Sequence, residues 1–177
     1  RVTSKLVGDA HFPDLKVEDD PDTDEFIELV VKTSKLKQRA TQAIRLMCLS
    51  GSSFMRFMLV EGSLIMETYH SKYCYPKFKP NNKLESIKIM YVFEDQNERD
   101  GAGNYKKKWF RMDLDEQNDT TYDTPDYNME SEPEFKVVSV ENHALGFVQG
   151  HWFRTDMDKH SPDGPSLIGD VLDFIDE

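Results

Sequence analysis

Two groups of side chains in this chain could do chemistry on an anion. The stretch His70-Ser71-Lys72-Tyr73-Cys74-Tyr75-Pro76-Lys77-Phe78-Lys79-Pro80 alternates bases with aromatic rings, and Lys83 follows closely. Cations neutralise phosphates while Tyr73, Tyr75 and Phe78 offer faces on which bases can stack, which is the chemistry of a single-strand nucleic-acid or anion binder. A second basic group, Lys35, Lys37, Arg39 and Arg45, lies earlier in the chain. The third constellation is acidic: Asp126 after Pro125, then Glu134-Phe135-Lys136. Two carboxylates that hold Mg²⁺, with a lysine beside the attacked phosphate, would suit phosphodiester cleavage.

That last pattern resembles the PD-(D/E)xK nuclease signature, and the resemblance implies a metal-dependent nuclease with Asp126, Glu134 and Lys136 as its catalytic residues. It covers only the short stretch from Pro125 to Lys136, and seven residues separate Asp126 from Glu134, a shorter gap than that family usually shows. Other catalytic patterns are missing. His11, His70, His143, His151 and His160 have no zinc-site spacing, and no nucleophile elbow, P-loop or dinucleotide fingerprint occurs. Asp19, Asp20, Asp22, Asp24 and Glu25 lack the glycine and terminal glutamate of a calcium loop. Gly101-Ala102-Gly103 falls in a predicted hairpin loop, where it is no phosphate cradle. The expectation is therefore a protein without cofactor or metal, and not an enzyme.

Charge is arranged in blocks. Residues 1–28 carry nine acids and three bases, residues 29–93 three acids and eleven bases, and residues 94–177 twenty-one acids and eight bases. The net charge is −11. A net negative protein is repelled by nucleic acid at long range. Screening beyond roughly 8–10 Å still lets a segregated basic face act locally. A basic centre between acidic ends suits docking of one copy's acidic segment onto another's basic face, closing into a ring or running on as a polymer. Apolar contacts must contribute as well, because exposed ion pairs are each worth under about 1 kcal/mol.

The elements that must position these residues read as α+β in a single domain, 26–177, behind an acidic, proline-broken arm over 1–25. Phe26–Val31 is apolar and β-favouring, a predicted first strand. Leu36, Ala40, Ala43, Ile44, Met47 and Cys48 recur at helical spacing and predict an amphipathic helix near 35–49, with Thr33 or Ser34 as its cap and Gly51 as its left-handed stop. Phe54–Val60 and Ser63–Tyr69 form a predicted hairpin about Glu61-Gly62. Ile87, Ile89, Tyr91 and Phe93 alternate, as do Phe110, Met112 and Leu114, giving an antiparallel pair with a long charged loop over 94–104. Residues 115–133 read as an exposed acidic excursion. Phe135–Val140 and Leu145–Arg154 read as a hairpin about Glu141–Ala144. Leu167, Ile168, Val171, Leu172 and Ile175 predict a short C-terminal helix capped by Ser166, with the character of a docking helix. The sum is about six strands, mostly antiparallel, and two helices.

The remaining features set the context. Apolar runs such as Phe57–Val60 fall far short of a membrane span, and the net charge disfavours peripheral membrane contact. The chain begins at Arg1 without an initiator methionine or a signal-like apolar core, as expected of a trimmed or processed product. Cys48 and Cys74 are expected as reduced thiols in an intracellular protein, cytoplasmic or within a virion, although the Asn118-Asp119-Thr120 sequon leaves secretion open. The favoured expectation is an interaction or assembly domain that binds a protein partner or itself, of the kind found in viral structural proteins of matrix type. Its binding residues are Lys35, Lys37, Arg39 and Arg45 with Lys72, Tyr73, Tyr75, Lys77, Phe78, Lys79 and Lys83. Nucleic-acid binding and nuclease activity are the alternatives.

Overall fold

A computed structural model describes residues 21–129, 133–155 and 163–166. The fold is α+β, and the described residues form two helices and two antiparallel sheets. Helix α1 spans Pro21–Thr33 and α2 spans Leu36–Ser50. Eight strands follow: β1 (Ser52–Val60), β2 (Ser63–His70), β3 (Cys74–Phe78), β4 (Leu84–Arg99), β5 (Tyr105–Asp115), β6 (Asn118–Tyr122), β7 (Val137–Asn142) and β8 (Gly150–Arg154). Among the described residues, one compact unit holds those from Pro21 to Ser71 and those from Gln149 onward, and the other holds those between Lys72 and Val148.

In the first unit the strands run in the order β2-β1-β8. The β1–β2 hairpin forms as expected, turning at Glu61 (φ 50°) and Gly62 (φ 77°). Two successive positive φ angles match the right-handed twist of the flanking strands. Side chains of opposed residues share a face, so Met55, Phe57, Met66 and Leu64 lie together and pack with Ala43, Leu36 and Phe153 into a core. Ser53, buried beneath α2, donates its hydroxyl to the Ala43 carbonyl at 2.7 Å, which satisfies a polar group that water cannot reach.

The 26–31 segment is helical rather than a strand. Pro21 at the start, Asp22 and Asp24 in the first turn and Lys32 in the last suit a helix macrodipole, and together they outweigh the β-propensity of Ile27, Val30 and Val31. Residues 21–25 thus open a helix rather than ending an arm; the rest of the expected arm lies outside the described residues. Thr33 and Ser34 do not cap α2. Their hydroxyls donate back to the carbonyls of Leu29 and Val30, closing α1, while Lys35 takes the N-cap position in a left-handed conformation (φ 54°) with no side-chain cap. Gly51 does stop α2, at φ 85°, with its N–H donating to the Met47 carbonyl at 2.8 Å.

The second unit is a five-stranded sheet in the order β3-β4-β5-β6-β7. Its long hairpin, β4 with β5, pairs Ile87 with Leu114 and Ile89 with Met112, all buried, as the alternation indicated. The charged segment 94–104 is mostly strand. Ladder pairing of Glu94 and Asp95 with Lys107 and Lys106 carries β4 through Arg99, so only 100–104 turns. There Asp100 accepts the backbone N–H groups of Ala102 and Asn104, each at 2.9 Å. Within 115–133, β6 is a sheet strand rather than part of an excursion. The hairpin about Glu141–Ala144 does not form, because β7 pairs with β6 in one sheet and β8 with β1 in the other. Four residues of turn-like composition cannot reveal that their flanks part. The predicted C-terminal helix lies outside the described residues except Ser166, whose hydroxyl donates to the Leu49 carbonyl at 2.7 Å.

Candidate interaction surface

The helix α2 carries Lys37, Arg39 and Arg45, with Lys35 at its N-cap, and contains no acid. Its buried side is Ala40, Ala43 and Cys48, and Lys35, Lys37, Gln38, Gln42 and Arg45 are exposed. Arg39 donates to the Gln42 side chain at 3.4 Å. Among the described residues none of these four cations is ion-paired to a carboxylate. An acid-free first turn leaves the N-terminal partial charge of the helix uncompensated, which adds to the positive potential there.

The cations of the other segment are treated differently. Lys77 lies 3.2 Å from Glu85, and Glu116 holds both Lys79 (2.5 Å) and Lys83 (3.2 Å). Lys83 also donates to the Gly146 carbonyl at 3.1 Å. The Glu116 carboxyl is held below its usual range by the Lys79 hydrogen bond first and by Lys83 second. Lys72 sits over the Tyr73 ring at 4.7 Å, and that ring lies 5.3 Å from Tyr91, which stacks on Phe110 at 4.8 Å. Tyr73 therefore belongs to an aromatic row along the sheet. Phe78 is half-buried, and Tyr75 is the one ring of the segment that is mostly exposed. The helix cations belong to one compact unit and the 72–83 cations to the other.

The nuclease-like residues have local roles. Asp126 bridges Lys108 through the backbone, and its carboxylate lies 3.9 Å from Lys106. Glu134 is exposed, Lys136 gives its backbone N–H to Asp123 at 2.9 Å, and the strand opens only at Val137. Between them Phe135 packs edge-on to Tyr122 and lies under the Arg111 guanidinium, which grips Asp113 through two hydrogen bonds of 3.2 and 2.6 Å. Among the described residues no group of three or more His, Cys, Asp or Glu is placed to hold a metal. His143 is buried against Asp119, with Nε2 at 3.6 Å from the carboxylate, and His151 packs edge-on to Phe153.

Two features escaped the sequence reading. At the tip of the β4–β5 hairpin Lys108 sits between Asp95 (2.9 Å) and Glu98 (2.6 Å), and those hydrogen bonds push its pKa up. The run Lys106-Lys107-Lys108 hinted at a charged site, but its pairing depends on the strand register. An open cleft of about 840 Å³ beside it is walled by Glu94, Arg99, Lys106 and Asp126, charges of both signs that select no one ligand charge. The other is the outer strand β7, every residue of which is exposed.

No known family model matches this chain, and no curated protein matches it significantly. No helix among the described residues is long and apolar enough to cross a membrane.

Proposed function

We propose that this chain is a non-enzymatic interaction and assembly domain whose basic helix α2 receives an acidic segment of a neighbouring copy or partner protein. The observation that supports this reading is the contrast between the two basic groups. Lys77, Lys79 and Lys83 are engaged by Glu85 and Glu116 of their own chain, whereas Lys35, Lys37 and Arg45 stand exposed on or beside an acid-free helix. The acids needed to meet them are abundant at both ends of the sequence. Several exposed pairs must act together, since one contributes under about 1 kcal/mol. Such chemistry suits a structural subunit, including a viral one of matrix type.

Light scattering across a salt titration tests it. The apparent mass should fall as salt rises, because the Debye length shrinks from about 10 Å at about 0.1 M to about 3 Å at about 1 M and attraction between exposed charges is screened. Lys35→Glu, Lys37→Glu and Arg45→Glu combined should abolish the salt-sensitive part of the association at low salt. A mass indifferent to both salt and charge reversal would refute the assembly role. Binding of a single-stranded oligonucleotide that the same reversal removes would reassign α2 to nucleic acid.

A further inference from the structure

The two outer strands of the five-stranded sheet are built in opposite ways. The β3 edge contains Pro76, which has no N–H to offer, and Lys77, a charge that a neighbouring strand would have to desolvate. Both features discourage strand addition. The β7 edge, Val137-Val138-Ser139-Val140-Glu141-Asn142, has no proline and no lysine, and its one charged residue, Glu141, lies toward the end of the strand. All six residues are exposed, with Val137 at 56%, Val138 at 66% and Val140 at 58%. Among the described strands β6 is its one neighbour. The inward N–H of His143, donating to the Gln117 carbonyl at 2.9 Å, sets the alternation of the ladder. The N–H and C=O of Val140 and Asn142 consequently face the free side.

We propose that β7 pairs antiparallel with β7 of a second copy about a two-fold axis at Val140. A two-fold axis normal to a sheet requires one residue to sit opposite its own counterpart. Val140 qualifies because its peptide groups point outward at the middle of the regular stretch. The ladder with β6 shifts between Thr121 and Tyr122, making Val138 the extra residue and the natural end of pairing. Centred on Val140, each Ser139 lies opposite the Glu141 of the other copy, so a hydroxyl donates to a carboxylate twice over. The two Glu141 side chains are not opposed, and the Val140 pair is covered at the centre.

This contact is independent of α2. It rests on backbone hydrogen bonds and valine burial, so salt that dissolves a charge-driven contact leaves it standing. Sedimentation velocity of the full chain at high salt, over a range of concentrations, should show a dimer. Val140→Pro removes one outward N–H while sparing the bonds to β6, and Val140→Lys places like charges at the axis. Each should raise the dimer dissociation constant at least about tenfold, with circular dichroism unchanged. Val140→Cys should cross-link to its counterpart on oxidation, since opposed residues of a hydrogen-bonded pair bring their Cα atoms to about 5.5 Å. A wild-type chain that stays monomeric at high salt, a dimer that Val140→Pro does not weaken, or a Val140→Cys chain that fails to cross-link would each overturn the proposal.

Discussion

Glu116 shows how one acid can decide what a lysine-rich stretch is for. It lies 37 residues from Lys79 in sequence, yet their side chains meet at 2.5 Å, and Lys83 joins from the other side. The lysines and rings of 70–83 were legible as a composition; that Glu116 would turn two of them inward was not, because only the β5–β6 turn brings it there. A carboxyl held below its usual range adds stability above the unfolded pKa of about 4.3 and loses it as pH falls through the lower folded value. Wild type should therefore exceed Glu116→Gln in stability at neutral pH, with the gap closing in acid. Urea denaturation of both proteins from pH 7 downward checks this, and a gap constant with pH would mean the carboxylate's charge contributes nothing. Cys48 offers a second check, because burial pushes its thiol pKa up. Alkylation at neutral pH should be slow in the folded chain and become fast only in denaturant.

At the scale of elements, the close of α2 joins three segments at Gly51. Its N–H ends the helix, its carbonyl receives the Thr155 N–H at 3.0 Å, and a Cβ added to it would collide with the carbonyl oxygen of Gly164. Gly51→Ala should cost more than the roughly 1–2 kcal/mol of a left-handed alanine alone. Gly62, also at positive φ but facing open space, should lose only that backbone amount on the same substitution. Chemical denaturation of the two variants separates collision from strain, and equal losses would mean that Gly164 simply moves aside. Phe54 sits near the start of β1, between Tyr69 and Trp152 in register and wholly buried. Phe54→Ala should cost about 3–5 kcal/mol. Periodicity alone found α2, the β1–β2 hairpin and the β4–β5 pair, because each joins neighbours in sequence and buries one face. It misread Phe26–Val31, where helix-end charges decided the outcome, and the Glu141–Ala144 turn, whose flanks belong to different sheets. The open edge at β7 was beyond it too, since a valine run shows a strand but not its place in the order.

Across the whole molecule the charge blocks should pull stability and association in opposite directions. The chain carries −11 overall, and its last block, residues 94–177, holds most of the excess acid. Self-repulsion of that kind opposes compaction, and added salt relieves it. The exposed ion pairs that salt also weakens, such as Lys77 with Glu85 and Lys106 with Glu98, are worth under about 1 kcal/mol each. Relief of repulsion should win, so the melting temperature should rise from low to moderate salt. Over the same range the contact proposed for α2 should dissociate, because it joins opposite charges on separate molecules, while pairing at β7 should persist. Thermal melts and sedimentation on one salt series give both readings together. A melting temperature that falls with salt would show that the internal ion pairs outweigh the repulsion. In that case the acids of 94–177 would be committed to holding their own fold and would have little charge left to offer a neighbour's helix.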